Sequence, residues 1–284
     1  MILPSGQGTA VRSEWPPAGH YQKINMTSSG TTRDYILQLP DNYDDTKPYR
    51  LIIGYHWYTG NAMEVVDCHT ESIDCYTTQS PFFGLWMLAE GDTIFVAPDG
   101  LNAGWANSNG EDVTLTDDIL QAVEGDLCID KTRVFANGFS YGASMTSVIG
   151  CARSSAFRGI AVYSGSPILS NYSSTCTTST PAIATYLSHG TQDGTNVFSG
   201  GQQIRDHFAQ SNGCAAPNPP LNDNPAPATH TCTSYLSCSA GHPLRWCVFG
   251  SQAGITQDHT PSPRDGKSNL TWNPEEVWNF VTQF

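Results

Sequence analysis

Residues 138–142 read Gly-Phe-Ser-Tyr-Gly and follow directly on the run Thr132-Arg-Val-Phe-Ala-Asn. A G-x-S-x-G pentapeptide between a strand and a helix is the pattern of a nucleophile elbow, which turns the chain sharply and holds the serine at its apex. Glycine is needed at 138 and 142 because a side chain at either would collide with the neighbouring strand or helix. Val134 and Phe135 read as the end of a buried strand, and Ala143 to Cys151 as a short helix of small and apolar residues. Ser140 therefore stands where the motif requires it, against the alternative of an ordinary Gly/Ser turn.

Around the elbow the chain alternates between strand and helix patterns. Tyr21 to Thr27 and Arg33 to Pro40 read as two strands joined at Ser28-Ser29-Gly30. Arg50 to Trp57 is a continuous apolar run, as expected of a strand buried on both faces, and Thr93 to Pro98 reads as another buried strand; Gly159 to Tyr163, Ala182 to Leu187 and Leu244 to Phe249 read as further strands. Helical patterns fall at Phe82 to Glu90, Val113 to Leu127, Ser199 to Asn212 and Asn273 to Phe284. Residues 60–80, with Cys68 and Cys75, form one loop-rich excursion, and Cys214 to Gly241 forms another without periodicity. This order predicts an α/β-hydrolase fold: a mostly parallel central sheet with helices on both faces. The 284 residues are expected to form a single catalytic domain, with a disulfide-bearing excursion at about 213–243.

Charge and cysteine content narrow the setting. A net charge of −13 with only 13 Lys and Arg argues against nucleic acid and anionic membranes as partners. No apolar run is long enough to span a bilayer. Nine cysteines lack the paired spacing of a zinc site, so disulfides are expected and no metal or cofactor is implied. Cys128 with Cys151, and Cys68 with Cys75, are the pairings that position suggests. Sequons at Asn25, Asn171 and Asn269 agree with secretion, and the absence of a leader pattern at Met1 with a mature extracellular segment.

A serine nucleophile needs a base, and the base needs an acid, in the chain order Ser, acid, His. Asp193 is presented by the loop after the strand Ala182 to Leu187; Asp206 lies in a helical pattern and Asp223 in the second excursion. His259 follows the last strand and precedes the last helix. Of the other histidines, His230 and His242 lie in the excursion, His56 and His69 come too early, and His189 precedes Asp193, where a structural hydrogen-bonded role fits better. His20 and His207 have no supporting context. The oxyanion donors are expected to be the backbone N–H of Tyr141 and that of Thr59, within the range Trp57 to Gly60. Trp57 and Trp105, with Tyr141, are candidates for an apolar wall that receives the acyl group.

Cys128-Ile-Asp-Lys-Thr-Arg-Val-Phe-Ala-Asn-Gly-Phe-Ser-Tyr-Gly-Ala resembles the elbow region of the feruloyl esterases of carbohydrate esterase family one, which also holds acetylxylan esterases and is related to polyhydroxybutyrate depolymerases. Ser188-His-Gly-Thr-Gln-Asp resembles the acid loop of that family, and Asp258-His-Thr-Pro its histidine loop. Cys238 to Cys247 and Pro274-Glu-Glu-Val-Trp-Asn-Phe resemble its last segments, so the likeness runs from about Tyr35 to the C-terminus. It implies Ser140 as nucleophile, Asp193 as acid and His259 as base. The implied substrates are feruloylated arabinoxylan or pectin fragments and small hydroxycinnamate esters. The alternatives are an acetylxylan esterase and a non-catalytic carbohydrate-binding module on the same fold. Two positions depart from the pattern: Gly142-Ala143 replaces Gly-Gly, and His56-Trp57 replaces His-Gly.

Overall fold

The structure, a computed structural model, describes residues 20–67, 81–217, 220–225, 230–250, 259–260 and 272–284. The strands β1 (Tyr21–Ser28) and β2 (Thr31–Gln38) form a hairpin. Its turn residues Ser29 and Gly30 both have positive φ (49° and 74°), the conformation that matches the twist of paired strands. There follow β3 (Tyr49–Tyr55), β4 (Thr93–Pro98), β5 (Ile129–Phe139), β6 (Gly159–Tyr163), β7 (Ala184–Gly190), β8 (His230–Ser234) and β9 (Leu244–Phe249). The nine strands make one sheet in the order β1-β2-β4-β3-β5-β6-β7-β9-β8. From β4 across to β9 every pairing is parallel, while β1, β2 and β8 join antiparallel.

Alternation along each strand explains why the central runs are apolar throughout. Leu51 and Ile53 enter one core and Ile52 the other; Val96 and Phe95 divide in the same way, as do Val162 and Ala161. The first core is closed by α2 (Glu111–Asp126), α3 (Tyr141–Ala152), α4 (Tyr172–Thr175) and α5 (Phe198–Ser211), through residues such as Ile119, Val148, Tyr172 and Phe208. The second is closed by α1 (Ala62–Val66) and α6 (Trp272–Val281), through Val65, Val277 and Phe280. The fold is that of an α/β-hydrolase. Among the described residues no helix is long and apolar enough to cross a membrane.

Three expectations are corrected. Phe82 to Glu90 is two 3-10 turns, Phe82–Gly84 and Trp86–Leu88, rather than one helix. Positive φ at Phe82 and Phe83 lets both rings enter the second core, Phe82 against Phe95 and Phe83 against Tyr163. The second excursion is not wholly irregular, since it contains β8. Cys232 lies opposite Cys247 in the β8–β9 register, and the two are bonded. Cys128 does not pair with Cys151. It is buried and free beside Tyr43 and Tyr49, which bond its backbone, whereas Cys151 joins Cys176 just past α4. Cys214–Cys238 is the third bridge. Cys68 and Cys75 lie outside the described residues.

Candidate active site

Ser140 sits between β5 and α3 with φ 56° and ψ −117°, well outside the ordinary regions for a residue with a side chain. The turn is held by backbone bonds: Ser140 N–H donates to Tyr163 O (2.9 Å), and Ser144 N–H donates to Ser140 O (3.0 Å). Both motif glycines are dictated by contact. A Cβ on Gly138 would strike the carbonyl of Gly142, and one on Gly142 would strike the carbonyls of Tyr55 and His56. The alanine at 143 is accommodated because the residue facing its methyl is Gly165, with no side chain of its own.

The structure brings the three residues singled out by order and loop position into one line. Ser140 Oγ lies 2.8 Å from His259 Nε2, and His259 Nδ1 lies 2.7 Å from Asp193 Oδ2. With its proton on Nδ1, His259 donates to the carboxylate and accepts from the serine hydroxyl. The imidazole packs on Phe139, centroid to centroid 4.9 Å. Asp193 is buried; its Oδ1 accepts the N–H groups of Thr195 (2.8 Å) and Asn196 (2.9 Å). Burial pushes this carboxyl upward, but hydrogen bonds from His189 and His259 prevail and hold it at about 2.

His189 is the neighbour that the sequence reading placed only in a structural role. It is buried, with Nε2 2.8 Å from Asn196 O and 3.3 Å from Asp193 Oδ2. The spacing of four between His189 and Asp193, across a turn at the strand end, was its signal. The rival acids are engaged elsewhere: Asp206 with Arg205, and Asp223 with Gln202, Arg205 and Trp246. His230 stacks on Trp272.

Three of the expected contacts fall differently. The N–H of Thr59 donates to Ala103 O at 2.8 Å, so it is not free to receive an oxyanion. Trp105 is 0% exposed and its Nε1–H donates to His56 O (2.7 Å), which makes it a brace inside the core. Trp57 is 4% exposed and packs on Phe139 and over Gly60. Tyr58, by contrast, is 64% exposed, with its ring 6.0 Å from that of Tyr141, the residue that follows Ser140. Leu101, Ile168 and Val197 are also exposed on loops that follow β4, β6 and β7, at the same end of the sheet. A cavity of about 350 Å³ lined by Pro40, Asp41, Trp86, Met87 and Glu90 opens at the amino ends of the strands, away from Ser140. The two clusters of close metal-type donors among the described residues, Cys151-Cys176-His207 and His230-Cys232-Glu276, contain disulfide sulfurs, which offer no thiolate.

No protein-family model matches the sequence. The chain is 36% identical to feruloyl esterase D of Neurospora crassa over 95% of its own length and 88% of that protein. It is 38% identical to feruloyl esterase C of Emericella nidulans over 87% of its length and 83% of that protein. Among solved structures, the acetyl xylan esterase from Aspergillus awamori superposes with a TM-score of 0.60 at 17% identity, covering 92% of this chain and all of that one. The feruloyl esterase module from Clostridium thermocellum complexed with sinapinate gives a TM-score of 0.58 at 15% identity, covering 100% and 96%. At such identities the structures speak for the fold alone.

Proposed function

This chain belongs to the feruloyl esterase family and is a carboxylic ester hydrolase, and we propose that it releases hydroxycinnamic acids from plant cell-wall polysaccharide through an acyl-enzyme on Ser140. The observation that carries this reading is the unbroken hydrogen-bond line from Ser140 Oγ through His259 to the buried, ionised Asp193. His259 Nε2 takes the serine proton as Oγ attacks the ester carbonyl, and the imidazolium is stabilised by Asp193. The same proton then passes to the departing sugar hydroxyl, leaving the acyl group on Ser140. Water, deprotonated by His259, cleaves that ester and returns the serine. The N–H of Tyr141, first residue of α3, serves the developing oxyanion.

Tyr58 and Tyr141 form the apolar surface proposed to receive the aromatic acid, in place of the two buried tryptophans. The polymer side is proposed as feruloylated arabinoxylan or pectin, with the whole chain acting as one catalytic domain. The three disulfides among the described residues support an extracellular location, and Asn25, exposed on β1, is available to carry a glycan.

Ser140→Ala tests the chemistry. It should fold normally and lower methyl ferulate turnover by roughly 10⁴-fold or more, the scale of a lost nucleophile; unchanged hydrolysis would exclude Ser140. Faster release of acetate from acetylated xylan than of ferulate would make the chain an acetylxylan esterase. Failure of a fluorophosphonate to label Ser140, together with polysaccharide affinity, would indicate a non-catalytic binding module.

A further inference from the structure

The loop after β3 contains a histidine that does not belong to the triad, and its bonding singles out one backbone N–H. His56 is fully buried. Its Nε2 lies 2.9 Å from Gly100 N, an N–H that can only donate, so Nε2 holds the lone pair and Nδ1 the proton. Burial, which holds this imidazole down at about 4, agrees with the neutral form. Nδ1–H therefore donates to Trp57 O, 2.7 Å away. The same carbonyl accepts Gly60 N–H at 3.1 Å. In a trans peptide the carbonyl and the following N–H point in opposite directions, so clamping Trp57 O aims the N–H of Tyr58.

The neighbouring peptides leave no competitor. The carbonyl of His56 accepts Trp105 Nε1–H (2.7 Å) and faces Gly142, where a Cβ would come to 2.5 Å from it. The N–H of Trp57 consequently points away from the elbow. Thr59 gives its N–H to Ala103, and Gly60 gives its own to Trp57. Tyr58 stands beside Tyr141, whose N–H is the first donor. Gly100 lacks a side chain because a Cβ there would run into the Gly104 carbonyl and crowd the His56 ring, which keeps the loops after β3 and β4 tied through one imidazole.

We propose that the N–H of Tyr58 is the second oxyanion donor and that His56 is the positioning residue that aims it through the Trp57 carbonyl. This rests on the esterase chemistry proposed above, and the test separates the two. Wild type, Ser140→Ala, His56→Ala, His56→Asn and His56→Gln are compared by thermal melting, by p-nitrophenyl acetate hydrolysis, and by inhibition with phenylboronic acid, which forms a tetrahedral adduct on a serine. Asn places an N–H near the Nδ1 position, whereas Gln reaches the Nε2 position and withdraws that donor. The Ala and Gln variants should lose about 10²–10³-fold in kcat with KM within about threefold, the cost of one oxyanion donor. Their boronate affinity should fall by a similar factor, while Asn recovers at least about tenfold of kcat. The proposal is overturned if folded Ala or Gln variants keep kcat within about threefold, if boronate affinity stays unchanged while kcat falls, or if Asn and Gln behave alike. Hydrolysis retained by Ser140→Ala would sink the esterase reading itself, whatever the His56 variants do.

Discussion

Asp193 gives one carboxylate oxygen to two backbone N–H groups and the other to two imidazoles, and this explains a carboxyl that stays ionised although buried. Its folded value of about 2 lies below the ordinary value near 3.9, so the ionised form favours the folded state. That stabilisation, about 2 kcal/mol, is complete above roughly pH 4 and is lost as the pH falls through 2. Urea unfolding of wild type and Asp193→Asn should therefore show a gap that narrows by about 2 kcal/mol between pH 5 and pH 2; a constant gap would count against the assignment. At neutral pH the same variant should lose roughly 10⁴-fold in kcat, because a neutral amide no longer holds the imidazole in its working tautomer. Tyr58→Ala should raise KM for methyl ferulate roughly fivefold, the scale of one aromatic contact, and leave KM for p-nitrophenyl acetate little changed. Equal effects on both esters would remove Tyr58 from the acyl site. Ser140, Asp193 and His259 were legible because motif, loop position and chain order constrain them jointly. Which aromatics stay exposed was not: Trp57, Tyr58 and Trp105 look equivalent as letters, and only packing decides that the tryptophans are interior.

At the scale of elements, the elbow is built by close approach. The first turn of α3 rests on the backbone of Tyr55 and His56, so Gly142→Ala should destabilise the fold by about 3 kcal/mol or displace the loop that carries Tyr58. A melting temperature and kcat both equal to wild type would show that the contact is looser than described. Gly165→Ala, opposite Ala143, should act in the same direction. The β4 and β6 bounds were readable because strands buried on both faces are uninterrupted apolar runs between polar loops, and β9 departs from that pattern only at Arg245. The two 3-10 turns at Phe82–Gly84 and Trp86–Leu88 have the composition of a helix, and the left-handed backbone at Phe82 and Phe83 has no local signature. Strand β8 has no signature in the sequence because His-Thr-Cys-Thr-Ser is polar, half-buried up to Thr233 and exposed at Ser234; its register comes from β9 and the bond between Cys232 and Cys247.

Across the whole molecule, the bridges among the described residues tie segments 15 to 25 residues apart in sequence. Cys151–Cys176 ties the end of α3 to the segment beyond α4, closing a separation of 25 residues. Replacing both by serine should cost about 3 kcal/mol of unfolding free energy, as loop closure of that length suggests. A loss below about 1 kcal/mol would mean that packing already fixes the segment. Cys128, buried and unpaired, should react with a thiol reagent only after unfolding. The alternation of strand and helix, the elbow, and the chain order of Ser140, Asp193 and His259 follow from the sequence alone, since periodicity and turn chemistry are local properties. The tertiary structure decided the cysteine pairing among the described residues, the second imidazole on Asp193, and the engagement of the Thr59 N–H by Ala103. Each of these depends on residues distant in the chain competing for one partner, and which of them wins is settled only when the elements pack.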